Sequence, residues 1–154
     1  MDRTCIVVAD VKHARFFSVE QDDTDSGTRL VERLALVNSE VEPGGLEAER
    51  GDDRQAGKKT SPTEPRHQQL SLEPGRRFRR DIARHTVEMT RDWKTGTVVL
   101  VAGPHLLGLT REALRDALEP GVELKELARD YAWLDAARIH DHLAACALVP
   151  ARRA

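Results

Sequence analysis

Apolar residues fall along this chain in two patterns: short continuous runs, and stripes at helical spacing. Val98-Val99-Leu100-Val101-Ala102 is short, β-branched and uncharged, as a strand buried on both faces should be. The chain then turns at Gly103-Pro104-His105. Beyond the turn, Leu107, Thr110, Leu114, Ala117 and Leu118 share one side at helical spacing. A buried strand feeding a helix through a tight Gly-Pro turn points to an α/β core. Ligands in open α/β sheets bind beyond the carboxyl ends of strands, so residues 103–111 belong to the wall of any site there.

The N-terminal part reads as strands. Residues 4–9 form one by composition, Asp10 ends it, and residues 15–20 form a second. The short connection between them predicts an antiparallel hairpin. Residues 21–28 are polar turn material. Residues 29–37 alternate imperfectly, with Leu30, Glu32, Leu34 and Leu36 on one face, and a helix competes with a strand there. The polar turns and the preceding hairpin favour a third strand of a β-meander.

From 38 to 74 the pattern disappears under glycines, prolines and charges, which predicts a long flexible loop. Residues 75–94 carry an apolar stripe of Phe78, Ile82, His85, Met89 and Trp93 and predict the longest helix. Residues 122–127 alternate strictly, as a half-exposed strand does. Asp135 is placed to cap a last helix that runs to about Ala145 and buries Ala136, Ile139, His140 and Leu143. The order is β-β-β-loop-α-β-α-β-α. It predicts a single three-layer α/β domain over residues 1–154, with a mixed, roughly five-stranded sheet and helices on both faces.

Composition narrows the function classes. The 154 residues suit one domain with an aliphatic core, since hydrophobic residues are 40% of the chain and aromatics 4%. A net charge of -2 speaks against a strongly basic nucleic-acid binder. No apolar run is long enough to insert into a membrane, and the first residues do not read as a secretion signal, so a cytoplasmic location is expected. Cys5 and Cys146 both read as small buried apolar residues in a reducing compartment.

The chemistry is sparse. On a helix, His140 and His142 point in different directions and cannot share an ion, so no metal site or cofactor is expected. No Gly-x-Ser-x-Gly elbow, phosphate loop or exposed reactive thiol is evident, and no catalytic residues are assigned. Charge is more informative. Residues 58–94 hold ten Lys or Arg against five Asp or Glu. Arg76, Arg77, Arg80 and Arg84 on the long helix are candidate contacts to a phosphate-bearing partner. Asp10 and Asp130, at strand ends, are each expected to approach Arg15 or Arg111. That cluster is read first as a network that fixes the loops, and otherwise as a charged site.

Several stretches in order carry a family resemblance. They are Val8-Ala9-Asp10 with Ala14-Arg15-Phe16-Phe17, Arg77-Phe78 with Asp81-Ile82-Ala83, Val98 to Ala102 with Pro104, Leu107-Gly108 and Arg111, and Arg129-Asp130 with His142-Leu143. With them the chain resembles the bacterial host attachment proteins, required for attachment to host cells. That family looks like a relative of the middle domain of archaeal and eukaryotic-type peptide-chain release factors. There, a loop before a long helix carries Gly-Gly-Gln for peptidyl-tRNA hydrolysis. This chain has Gly44-Gly45-Leu46 in the corresponding loop, and leucine cannot position a water.

The resulting expectation is a cytoplasmic binding or adaptor protein without a self-contained catalytic centre. It would engage tRNA, the ribosome or a protein partner, with Gly44, Gly45, His105 and Arg111 as further binding candidates. The alternatives are a divergent peptidyl-tRNA or ester hydrolase, and a homodimer.

Overall fold

The computed structural model describes residues 3–21, 27–39 and 64–152, with the side chains of the first helix described from residue 75 onward. The elements are β1 (Thr4–Ala9), β2 (His13–Gln21), β3 (Thr28–Val37), α1 (Glu64–Met89), β4 (Gly96–Ala102), α2 (Pro104–Arg115), β5 (Val122–Ala128) and α3 (Ala136–Ala145). One five-stranded sheet runs in the order β3-β2-β1-β4-β5. The meander strands pair antiparallel, and β1, β4 and β5 pair parallel. This is the mixed α/β architecture that the hydrophobic pattern predicts.

The two uncharged runs lie side by side at the sheet's centre and divide their side chains between two cores. Cys5, Val7, Ala9, Val98, Leu100 and Ala102 face α1 and α2, against Phe78, Ile82, Leu107 and Leu114. Ile6, Val8, Val99 and Val101 face the other way, against Leu134, Ile139 and Leu143 of α3 and its approach. Asp135 caps α3 as expected: its carboxylate accepts from the Arg138 N–H at 2.8 Å. His140 is fully buried, and its Nε2 lies 2.7 Å from the Pro150 carbonyl, tying the C-terminal segment to α3.

Four expectations are corrected. First, α1 begins at Glu64, so residues 64–74, read as loop, are helical. Pro74 and Gly75 are helix breakers by local propensity, yet one missing N–H and one glycine do not outweigh a 26-residue helix packed on the sheet. At the other end of the predicted loop Asn38 is buried, its side-chain amide donating to the Val11 carbonyl at 3.0 Å, and residues 40–63 lie outside the described residues.

Second, α1 ends at Met89, five residues earlier than the stripe suggested. Thr86 on it and Thr90 just past its end are buried although polar, because each hydroxyl donates to a carbonyl one turn back, Ile82 O at 2.7 Å and Thr86 O at 3.0 Å.

Third, β3 does not keep Leu30, Glu32, Leu34 and Leu36 on one face. Phe16 pairs with Leu34 and Phe17 with Glu32, so Arg33 is an extra residue, a β-bulge. Leu30 therefore joins the α3-side core, and Leu34 and Leu36 pack on the α1 side. The imperfect alternation in the sequence is the trace of this bulge.

Fourth, Cys146 is exposed just beyond the end of α3.

Gly96 opens β4 with φ +153°. A Cβ there would sit 2.6 Å from the Trp93 ring and 2.9 Å from the Arg3 carbonyl. Gly96→Ala should therefore destabilise the domain by about 2 kcal/mol, through both backbone strain and displacement of Trp93. Urea unfolding should show a lower midpoint with an unchanged m-value. An unshifted midpoint would contradict this account of the β4 entry.

Candidate partner-binding groove

On α1, Arg80, Ala83, Arg84, Val87 and Glu88 succeed one another at one-, three- and four-residue steps and form one face, and Arg91 continues it from the turn just beyond the helix. Across from them stand Ala113 and Ala117 of α2 and the turn after it. Together these residues line a groove of about 640 Å³. The side of α1 next to this face is held down by Phe78 and Ile82 in the core, so the arginines are displayed from a fixed helix. The floor is apolar and small, and the rim is cationic. Arg84 is paired with Asp81 at 3.2 Å on the exposed side. Among the described residues Arg80 and Arg91 have no acidic partner. Burial, with Arg76 beside it, holds the Arg79 guanidinium below its ordinary pKa, while Glu112 on α2 opposes this shift.

The residues predicted as a site separate into several places. Arg80 and Arg84 are in the groove, and Arg76 and Arg77 are exposed on the preceding turn of the same helix. Asp10, Arg15, Arg111 and Asp130 do not form one cluster. β4 lies between β1 and β5, which keeps the ends of those two strands apart. Asp10 caps its own turn, accepting from the N–H groups of Lys12 at 2.8 Å and His13 at 2.6 Å.

Arg15 is a structural clamp. Its guanidinium donates to both carboxylate oxygens of Glu32, at 3.1 and 2.9 Å, and to the carbonyls of Ala132 and Leu134, at 3.0 and 2.5 Å. It also lies 5.1 Å from the centre of the Phe17 ring. Arg111 donates to Glu126 of β5 at 2.7 Å, a bond that raises its pKa further. Asp130 is exposed, without a hydrogen bond or ion pair among the described residues. His105 is exposed at the start of α2. Gly44 and Gly45 lie outside the described residues. The reading of these charges as a loop-fixing network holds for Asp10 and Arg15, through partners that the sequence did not indicate.

Arg91, Ala113 and Ala117 were not anticipated. Arg91 was legible, seven residues after Arg84 on the same face. The two alanines were not, because their role depends on where α2 packs.

Cys5 is sealed in the core, its Sγ 4.0 Å from the Met89 sulfur, and burial pushes its thiol up to about 12. Among the described residues no three His, Cys, Asp or Glu side chains converge as a metal site would require. His140 points into the core while His142 stacks on Tyr131 at 4.8 Å, so the two histidines diverge as expected.

A family model described as "protein required for attachment to host cells" matches residues 5–143. The chain belongs to this family. The match reaches from β1 into α3 and so touches every strand and helix described above. No curated relative matches the chain in sequence. Among solved structures the chain is similar to the Ppx/GppA phosphatase of Aquifex aeolicus, type II variant, at 12% identity and a TM-score of 0.31. That match covers 82% of this chain and 36% of the other, so the chain spans about a third of that protein's length. A likeness this slight carries no function across, and it lends no support to a release-factor relationship. Among the described residues no helix is long and apolar enough to cross a membrane.

The two thiols should differ sharply in reactivity. In the native protein a disulfide reagent at pH 8 should modify Cys146 and leave Cys5 untouched, and both should react in denaturant. Rapid native modification of Cys5 would show that the α1-side core is open.

Proposed function

We propose that this host-attachment-family protein is a non-catalytic binding protein, and that its contact surface for an anionic partner is the α1–α2 groove. The observation that carries the reading is the convergence of Arg80, Arg84 and Arg91 on one rigid face above an apolar floor. Guanidinium groups suit carboxylate and phosphate because their planar donors bind both oxygens of such groups at once. Among the described residues no metal set converges there and no cysteine, serine or histidine lines the groove, so the face is suited to holding a partner rather than transforming it. Arg76 and Arg77 extend the same charge along the helix, so the field reaches beyond the groove and favours capture of a negatively charged surface. The cytoplasm suits such a protein, since the exposed Cys146 stays a free thiol in a reducing compartment.

The test is anisotropy of two labelled anions, a single-stranded RNA 20-mer and poly-glutamate, across a salt series. The wild-type protein should bind at least one of them at low salt. The combined Arg80→Gln, Arg84→Gln and Arg91→Gln variant should bind about tenfold or more weakly, with a salt slope flatter by about two units. Binding that is absent for both anions, or indifferent to the three substitutions, would remove the groove as the contact surface.

A further inference from the structure

We infer that the occupant of this groove is an acidic amphipathic α-helix presented by a protein partner. The inference rests on the anionic-partner reading above and gives it a shape. Three features of the groove point the same way.

The first is the floor. Ala83, Val87, Ala113 and Ala117 are small and apolar, and they open between two helices that already pack on one sheet. Small residues let a third helix approach to normal packing distance and bury its own apolar ridge, which is how grooves receive amphipathic helices. A phosphate backbone has no apolar ridge and would leave this floor uncovered.

The second is length. From Arg80 to Met89 the helix rises about 14 Å, or two and a half turns, and Arg91 follows in the turn beyond it. A three-turn segment would present two or three apolar anchors to the floor and place carboxylates beside all three rim arginines.

The third is what the lining lacks and what it includes. Among the described residues no aromatic side chain lines the groove, so unstacked bases would find no platform there. Glu88 stands between Arg84 and Arg91 on the same face and would repel a continuous phosphate strand. On a peptide partner, Glu88 instead selects for a neutral or basic residue at one position among the acidic ones. The occupant so defined has glutamates or aspartates on both flanks of a Leu- or Ala-bearing stripe.

An 18-residue labelled peptide with a Leu/Ala stripe flanked by glutamates is the probe, with the RNA 20-mer as comparator. Titration into the wild-type protein should give saturable anisotropy and a gain of helical circular dichroism by the peptide. Replacing the stripe leucines by serine should weaken binding about tenfold or more, because the apolar anchors carry much of the affinity of such interfaces.

Ala117→Arg separates the partner classes. The position is exposed, so the substitution is tolerated by the fold, and it crowds the floor while adding positive charge. Peptide binding should fall about tenfold, and RNA binding should hold or rise. If the protein prefers RNA, or if the serine peptide binds as well as the parent, the helix inference is overturned and the anionic-partner reading stands. If neither probe binds at low salt, both readings fall.

Discussion

The parallel pairing of β1 with β4 brings two uncharged runs together and leaves neither with a face for water. Parallel neighbours cannot be joined by a tight turn, so the chain must leave the sheet, cover it and return. It uses the meander and α1 for the first return and α2 for the second. Both faces of the central pair need helices, and α1 with α2 supplies one cover while α3 supplies the other. The groove is a by-product of this demand. Two helices that must lie over the same side of one sheet leave a furrow between them, and its chemistry is set by the side chains that point away from the core.

Those outward side chains show how a small aliphatic domain can carry a recognition surface without weakening its core. On α1 the core stripe and the arginine face are adjacent parts of one helix. Phe78 and Ile82 fix the axis and the rotation, and the arginines inherit that precision. Arg15 plays the opposite part. Its cation is consumed in holding Glu32 and the carbonyls of residues 132 and 134, so it fastens the approach to α3 and has little left for a ligand. Arginines of the same charge thus differ in role because Arg15 has four of its five donors satisfied from within and Arg80 faces solvent.

The sequence reveals the fold where local patterns are strong. The uncharged runs, the Gly-Pro turn before α2 and the Asp135 cap all act within a few residues, and each is where the pattern places it. Legibility fails where distant packing decides. The helix runs on through Pro74 and Gly75 because its length and its contact with the sheet outweigh two unfavourable residues. The bulge at Arg33 reverses the facing of half a strand, and period-two reading cannot detect a single added residue. Strand order is a third case. Asp10 and Asp130 both end strands, and only the interposition of β4 keeps them apart. For the groove, the cations could be read from spacing along one helix, whereas Ala113 and Ala117 gain meaning only from the neighbour they meet.

Among the described residues the outermost strands of the sheet, β3 and β5, each have one bonded neighbour and one open edge. An open edge is a template on which another chain can add a strand, and unguarded edges lead to aggregation. Here β3 carries Arg29, Glu32 and Arg33 and is bent by its bulge, while β5 carries Glu123, Lys125 and Glu126. An incoming strand would have to set its side chains against mixed charge on either edge, and on β3 would also meet a broken hydrogen-bond register. Strand addition is thereby discouraged at both edges.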